Sequence, residues 1–385
     1  MKKLAIYIHI PFCVRKCLYC DFLSEPASDE TKEQYVQALC REIREERKSY
    51  VNYKVETIFL GGGTPSLLSG EQLDRILGTV FDAYQVADDC EISMEVNPGT
   101  VTKEKLKAYK RAGVNRLSIG MQSAVEEELQ SLGRIHSSED AFDTYDLAVK
   151  TGFNNINIDL MSAIPGQTIE SWKESLKRIL DLEPAPAHVS AYSLIIEEGT
   201  PFFENTPTLP DEDTEREMYK ITNDILSEAG YLRYEISNYA KPGFACRHNC
   251  TYWERGSYAG FGIGAASLVE QVRFSNTRNL KDYLEKYLKN ATVAIKENRQ
   301  ELSVEEQMEE FMFLGLRMMR GVSAGKFSDL FGKTIEQVYP GIVEKYCRQG
   351  LLQKIPEQGS GEVRIALTER GIDVSNVIMA DFLLT

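Results

Sequence analysis

The feature that most constrains this chain is a group of three cysteines near its N-terminus. Cys13, Cys17 and Cys20 follow the apolar segment Ala5-Ile-Tyr-Ile-His-Ile10 in the pattern Cys-x3-Cys-x2-Cys, with no fourth cysteine nearby. Structural zinc sites take four protein ligands, whereas three thiolates on one short loop fit three corners of an iron-sulfur cube. One iron would then stay open to a small molecule. The pattern predicts a [4Fe-4S] cluster, and the alternative is three buried or zinc-binding cysteines.

Strand-like and helix-like segments alternate through the first half of the chain. After the first strand, the pattern predicts strands at 55–60, 91–96, 115–119, 154–160 and 188–194, and helices at 28–50, 69–84, 102–112, 125–151 and 168–180. Such alternation indicates an α/β fold with a parallel sheet and outer helices, and six units suit a partial, TIM-like (β/α)6 barrel. Functional groups of such folds gather at the carboxyl ends of the strands. Cys13, Glu95, Gln122 and Asp159 stand there.

The pattern changes after Pro210. A charged helix, a short strand at 233–237 and a Gly- and aromatic-rich segment at 239–266 precede two further helices. The tail has a helix at 334–349, a strand at 351–355, a loop at 357–361, a strand at 363–367 and a last helix from Glu369, which is a winged-helix order. We expect a barrel at 1–205, an extension at 206–300 and a winged-helix-like α+β unit at 301–385.

Composition narrows the class of protein. The net charge is −14 and no long Lys/Arg block is present, which argues against binding to nucleic acid or to an anionic membrane surface. No apolar run approaches the roughly 18 to 20 residues of a membrane span, and the N-terminus has no signal-type segment. Eight cysteines, three of them clustered, suit metal ligation in a reducing compartment. We expect a cytoplasmic protein.

The cysteine pattern after a short strand is the signature of radical S-adenosylmethionine (SAM) proteins. Tyr7-Ile-His-Ile-Pro-Phe-Cys13 resembles, more narrowly, the group of oxygen-independent coproporphyrinogen III oxidases and the heme chaperones related to them. The resemblance covers nearly the whole chain and implies the cluster and SAM as cofactors. It implies SAM contacts at Tyr7, Tyr19, Gly62, Gly63, Thr64, Glu95, Gln122, Arg134 and Asp159.

These residue types suit SAM. The turn Gly61-Gly-Gly-Thr-Pro65 lets backbone approach a ligand closely. The alternative is a turn that needs glycine only for its unusual dihedral angles. Glu95 ends an apolar strand and needs a cationic or hydroxyl-bearing partner. Arg134 suits a carboxylate, and Asp159 a hydroxyl or an amine. The alternative for Arg134 and Asp159 is a buried pair that braces the barrel.

His9 stands in the first strand, beside the predicted cluster. Three roles are open for it: orienting the cluster loop, contacting SAM, or serving as a core histidine with its hydrogen bonds satisfied.

A second motif is Cys246-Arg-His248-Asn249-Cys250-Thr-Tyr252-Trp253, which resembles the HNxxYW signature of the heme chaperones. An imidazole can ligate heme iron, and aromatic rings offer flat apolar surface to a porphyrin. His248 is therefore a candidate heme ligand, and the alternative is a structural histidine in an aromatic cluster. Cys246 and Cys250 flank His248 at helical spacing and are candidate iron or zinc ligands.

Two differences separate this chain from the oxidases of the resembled group. Their cluster motif continues to a further Cys, where this chain has Cys20-Asp21-Phe22, and they carry an extension before the cluster. Two departures from the chaperones are Ala265-Ala266-Ser267, where a His is frequent, and Met161-Ser-Ala-Ile-Pro165.

The resemblance thus implies a heme chaperone that delivers heme to hemoproteins, including membrane-bound respiratory ones, and possible homodimerisation. The cluster and SAM would set its conformation or oligomeric state. The alternative is a coproporphyrinogen III dehydrogenase, so whether the chain is an enzyme is left open. A third class is a cluster-bearing structural or sensing module without SAM.

Overall fold

Six parallel strands form the centre of the protein, whose computed structural model describes residues 1–356 and 363–384. The strands are β1 (Lys2–Ile10), β2 (Tyr53–Gly62), β3 (Gln85–Val96), β4 (Arg116–Gln122), β5 (Ile156–Ser162) and β6 (His188–Ser193). Each pairs in parallel with its neighbour in chain order. The predicted α/β class and partial (β/α)6 barrel are confirmed.

Helices connect these strands. They are α1 (Asp29–Glu45), α2 (Gly70–Ala83), α3 (Lys103–Arg111), α4 (Glu126–Ser131), α5 (Ser138–Lys150) and α6 (Ile169–Leu180), with short 3-10 helices at Glu46–Tyr50 and Pro65–Leu67. Five of the six begin after a Ser or Thr whose side chain accepts a backbone N–H of the first turn, as N-caps do.

The helices predicted across 125–151 are two in the structure, α4 and α5. Gly133 separates them with a φ of 71°, a left-handed conformation that favours glycine and commonly ends helices. Two backbone hydrogen bonds close α4 there, from Gly133 to Gln130 and from Arg134 to Leu129. The interruption brings the Arg134 side chain to the inside of the barrel.

The hydrophobic core lies between the strands and the helices outside them. Alternate residues of β4, Leu117, Ile119 and Met121, are fully buried in this core, because successive side chains of a strand point to opposite faces. The other face of each strand is turned to the barrel lumen.

The extension adds strands to both edges of the barrel sheet. Its elements are α7 (Pro201–Glu204), α8 (Glu212–Glu228), β7 (Leu232–Glu235), β8 (Asn238–Ala240), α9 (Arg247–Trp253), β9 (Tyr258–Phe261), β10 (Ala266–Val269), β11 (Val272–Asn276), α10 (Leu280–Lys289) and β12 (Lys296–Glu301). The strand β8 pairs antiparallel with β6, and β9 pairs parallel with β1. The resulting sheet has twelve strands in the order β12-β11-β10-β9-β1-β2-β3-β4-β5-β6-β8-β7.

The tail has a core of its own. Its elements are α11 (Val304–Gly315), β13 (Val322–Ser323), α12 (Ala324–Phe331), α13 (Ile335–Val338), α14 (Ile342–Arg348), β14 (Leu352–Pro356), β15 (Val363–Leu367), α15 (Glu369–Asp373) and α16 (Ser375–Ala380). Its antiparallel strands lie in the order β13-β15-β14. This is the predicted winged-helix-like α+β unit; its predicted loop at 357–361 lies outside the described residues.

The tail packs against the extension through buried charges. Glu310 of α11 accepts from Arg255 at 2.8 Å and from Arg273 at 2.7 Å. The guanidinium of Arg317 lies 4.4 Å from the centre of the Trp253 ring. These contacts join α11 and the segment after it to the end of α9.

None of the helices within the described ranges is both long enough and apolar enough to cross a bilayer.

Candidate functional site

Polar side chains line the barrel lumen, where branched apolar residues fill most complete barrels. On β4, Arg116, Ser118, Gly120 and Gln122 alternate with the core residues and face the lumen. The residues that continue this lining on β5 and β6 are Asn157, Asp159, Ser190 and Tyr192. Together with the loops above them they enclose a cavity of about 380 Å³.

Thirteen residues proposed from the sequence line this one cavity, whereas the further candidates His9, Cys246 and Cys250 do not. The thirteen are Tyr7, Cys13, Cys17, Tyr19, Cys20, Gly62, Gly63, Thr64, Glu95, Gln122, Arg134, Asp159 and His248. They come from five of the six barrel strands, from the loops after β1 and β2, from the segment after α4 and from α9. Their common location fits one ligand site; their individual contacts to a cluster, SAM or heme stay predictions.

The cysteine loop is fastened to the barrel along its length. The Cys13 N–H donates to the carbonyl oxygen of Glu25 at 3.1 Å, and the Leu18 N–H donates to that of Leu132 at 3.1 Å. Arg15 donates to the carbonyl oxygen of Gly133 at 2.9 Å. The loop is thereby held over the rim of the lumen, beside the segment that carries Arg134.

His9 ties the far end of the cysteine loop to β1. Its Nε2 lies 2.8 Å from the carbonyl oxygen of Leu23, and its Nδ1 lies 3.0 Å from the Tyr7 hydroxyl. The ring packs on Gly62, where a Cβ would lie 2.4 Å from it and where φ is 109°. Of the three roles open for His9, this geometry favours orienting the loop, and it explains why position 62 needs glycine.

The three thiols suit a multi-metal cluster. Cys13 Sγ lies 3.2 Å from Thr64 Oγ1, and Arg134 Nη1 donates to Cys17 Sγ at 3.6 Å. Burial raises the pKa of Cys20 to about 11, so a cationic metal centre is needed to stabilise its thiolate. In the parts of the chain that the structure describes, no group of three His, Cys, Asp or Glu side chains is arranged to hold a single metal ion. A cube does not require this, because each thiolate binds a different iron.

Glu95 has few partners of its own. Its Oε2 accepts the Gly62 N–H at 3.0 Å. Burial, together with the negative charge of Asp159, raises the pKa of Glu95 to about 8. A ligand that brings a positive charge or hydroxyl donors would reverse this shift.

Among the salt bridges of the described residues, none joins Arg134 to Asp159. Arg134 donates to Asn97 Oδ1 at 3.2 Å and to the carbonyl oxygen of Gly120 at 2.7 Å, while its buried Nε has no partner among those residues. Asp159 accepts from Ser118 and Asn157 instead. The unused Nε of Arg134 fits a carboxylate ligand at the rim.

His248 is fully buried, and both of its ring nitrogens are engaged. Its Nδ1 lies 2.9 Å from Thr57 Oγ1, and its Nε2 lies 2.9 Å from the Tyr252 hydroxyl. Burial, and then the nearby Arg116, lowers the pKa of His248 to about 3, so the ring is neutral. Heme ligation by His248 would require one of these hydrogen bonds to break. The geometry favours the structural alternative.

Cys246 and Cys250 belong to the same helix region. Cys246 is fully buried, with its thiol 3.5 Å from Glu91 Oε1. Glu91 also accepts the backbone N–H groups of Arg247 and His248. No third metal-ligating group joins the two cysteines within the described residues, which favours their role as small core residues.

The two departures from the chaperone pattern lie away from the lumen lining. Ala265 is buried, and Ser267 accepts the Gly260 N–H at 2.9 Å. Met161 and Ile164 pack in a separate apolar cluster with Leu132. Neither segment contributes a side chain to the cavity.

Several lining residues were missed in the sequence: Phe59, Asn97, Arg116, Ser118, Asn157, Ser190 and Tyr192. A signal for part of this set exists. Polar residues recur at every second position of otherwise apolar strands, as in Arg116 and Ser118 or Asn157 and Asp159, and this spacing indicates one polar face.

The raised pKa of Glu95 predicts a pH dependence. Its usual value is 4.5 and its value in the folded protein is about 8, so between these limits the folded state holds a proton that the unfolded chain has released. The free energy of unfolding should therefore fall as pH rises through this range. Urea unfolding of the SAM-free protein at several pH values measures this. Glu95→Gln should show a shallower fall, and an identical slope in both proteins would contradict the assignment.

Comparison with known proteins identifies the family of the chain. The model of the radical SAM superfamily matches residues 7–179, and that of the HemN C-terminal domain matches residues 302–374. Heme chaperone HemW of Lactococcus lactis is 36% identical over 100% of this chain and 98% of its own length. HemW of Bacillus subtilis is 36% identical over 98% of both chains, and HemW of Escherichia coli is 37% identical over 91% and 92%.

One solved structure resembles the whole chain. It is the radical SAM enzyme coproporphyrinogen III oxidase (HemN) from Escherichia coli, with a TM-score of 0.82 and 22% identity, over 100% of this chain and 90% of that one. At this identity the likeness establishes the fold. The relatives matched at 36–37% identity over nearly their full length establish the family. The chain belongs to the HemW family of radical SAM proteins.

Proposed function

We propose that this protein is a heme chaperone, which binds heme and passes it to heme-accepting proteins. The observation that carries the proposal is the match to proteins named heme chaperone over 98–100% of the chain. In this proposal the acceptors include membrane-bound respiratory hemoproteins, and the protein acts in the cytoplasm as a homodimer.

In this proposal Cys13, Cys17 and Cys20 hold a [4Fe-4S] cluster and the lumen holds SAM. A cluster with one open iron supplies an electron-transfer centre next to SAM. The protein's part is positioning: Arg134 holds a carboxylate at the rim, and Glu95 and Asp159 face the positive or hydroxyl-bearing parts. The cysteine loop, fixed to Glu25 and Leu132, keeps both cofactors at one end of the barrel.

The alternative is a coproporphyrinogen III dehydrogenase, whose known fold this chain shares. Fold alone does not separate the two functions. A local difference favours the chaperone: Phe22 lines the mouth of the cavity and is 57% exposed, at the position where the oxidases carry a further cysteine. An exposed aromatic ring there offers apolar contact in place of a thiol.

The test uses the protein with its cluster reconstituted without oxygen. One arm supplies SAM, a low-potential reductant and coproporphyrinogen III, and follows decarboxylated porphyrinogen and 5′-deoxyadenosine by chromatography. A second arm titrates heme and measures transfer to apomyoglobin by absorbance. Saturable heme binding, acceptor-dependent transfer and no porphyrinogen product would support the chaperone. Multiple turnovers of porphyrinogen would overturn it.

His248 can be tested as the heme ligand in the same titration. If His248 ligates heme, His248→Ala should weaken heme binding and change the heme spectrum, and Tyr252→Phe should strengthen binding because it frees Nε2 from its hydrogen bond. Unchanged affinity and spectrum in His248→Ala would remove it as a ligand. Thermal unfolding of both variants separates lost ligation from lost packing.

A further inference from the structure

Arg116 carries a positive charge into the lumen without a protein partner. It is the first residue of β4, lines the cavity and is 2% exposed. Its Nε is buried without a hydrogen bond, and the guanidinium makes no hydrogen bond or salt bridge to residues 1–356 or 363–384. In contrast, Arg255, a strongly buried arginine just after α9, is paired with Glu310.

An unpaired buried guanidinium is costly. Leaving a buried charged donor without hydrogen bonds carries a large desolvation penalty. Nearby anionic groups keep Arg116 charged, but their oxygens have other donors: Glu91 accepts from Arg247 and His248, and Asp159 from Ser118 and Asn157. The hydrogen-bonding capacity of Arg116 is therefore left for a ligand.

Arg116 and Arg134 lie at different ends of the lumen. Arg134 is anchored on Gly120 and lies against Cys17 at the rim. Arg116 precedes Gly120 by four residues on the same strand, which is roughly 13 Å of extended backbone. The anion that Arg134 would bind beside the cluster is thus separate from one at Arg116.

We propose that Arg116 binds a carboxylate at the inner end of the lumen. A guanidinium presents two parallel N–H groups that match a carboxylate. The carboxyl groups of Glu95 and Asp159 also line this cavity, so a singly charged anion is better accommodated than a phosphate dianion. Ser118 and Asn157, next to Arg116 on the lumen wall, supply further polar contacts.

Two ligands of the proposed function carry a carboxylate: heme, through its two propionates, and SAM, whose single carboxylate would then lie at Arg116 instead of at Arg134. The heme source rests on the chaperone function, whereas the SAM source does not. Each has a counterpart without the free carboxylate, decarboxylated SAM and heme dimethyl ester, so the two sources can be distinguished in one set of titrations.

The experiment compares cluster-loaded wild type, Arg116→Gln, Arg116→Lys and Arg134→Gln. Calorimetry follows SAM and decarboxylated SAM, and absorbance follows heme and heme dimethyl ester. Arg116→Gln should weaken one carboxylate ligand about ten-fold or more while its counterpart without the carboxylate binds as to wild type, and Arg116→Lys should lose less. The acid ligand that is affected identifies the source, and Arg134→Gln reports the rim position separately.

Two results would overturn the proposal: wild-type affinities of Arg116→Gln for all four ligands, or equal losses for the forms with and without the carboxylate. Should Arg116→Gln fail to retain its cluster, wild type and Arg116→Lys decide, and an acid preference unchanged by lysine would overturn it. If wild type binds no heme, the chaperone function fails, and the SAM titrations still test Arg116.

Discussion

Replacing any one of Cys13, Cys17 or Cys20 with alanine should reduce bound iron and sulfide to the background level after reconstitution. Each thiolate of a cubane binds a different iron, so two remaining cysteines leave two irons without protein ligands. SAM binding should fall with the cluster, because the open iron is one of its expected contacts. Iron and sulfide analysis, the visible absorbance of the cluster and SAM calorimetry measure the effect.

The matched control is Cys347→Ala. Cys347 is a partly buried cysteine of α14, in the tail, and its loss should leave the iron content unchanged. Cys250→Ala provides a second control close to the lumen. Wild-type iron and sulfide in any of the three loop variants would contradict the assignment of that cysteine, and equal losses in Cys347→Ala would indicate a general failure of reconstitution.

Glu42→Ala should lower the free energy of unfolding by about 3–5 kcal/mol, among the largest effects of a single substitution. Glu42 lies on α1, is 1% exposed and accepts three hydrogen bonds. The donors are the Gly262 N–H at 2.8 Å, the Asn276 amide at 2.6 Å and the Tyr283 hydroxyl at 2.6 Å. Alanine leaves all three buried donors without an acceptor. It also removes the hydrogen bonds that join α1 to β11, to α10 and to the segment after β9.

Glu45→Ala is the control for this prediction, since Glu45 is an exposed glutamate on the same helix; its effect should stay within about 0.5 kcal/mol. The effect of Glu42→Gln should fall between the two. Its carbonyl oxygen can still accept a hydrogen bond, but its NH2 group faces donors, where the second oxygen of Glu42 accepted. Scanning calorimetry and urea unfolding measure the differences. A loss below about 1 kcal/mol in Glu42→Ala would show that the three donors find other acceptors.

The barrel was predictable because its signals are local. Each strand from β2 to β6 is a short apolar run between helical segments, and the N-caps and glycines that bound the helices are visible in the sequence. The pairing of β9 with β1 was not predictable. The four residues Tyr258–Phe261 are too few to show a period, and their partner lies some 250 positions away in the chain.

The same distinction applies to the site. Cys13, Gly62 and Glu95 stand in motifs that can be recognised from neighbouring residues. Arg116 stands in no such motif, and only the alternation along β4 turns it to the lumen. The hydrogen bond of His248 to Thr57 joins residues 191 positions apart, so the sequence offered no means to choose between a heme ligand and a structural histidine.

The side chains that would bind ligands and the side chains that stabilise the fold lie on opposite faces of the barrel strands. Cohesion comes from the apolar layer outside the strands, where Leu117, Ile119 and Met121 lie, while the inner face carries groups such as Arg116 and Glu95 whose burial is unfavourable without a ligand. Evolution can therefore exchange inner side chains, and with them the chemistry performed, at little risk to the scaffold. The barrel can therefore fold without its ligand, and a ligand that pairs with Arg116 and Glu95 would offset the cost of burying them.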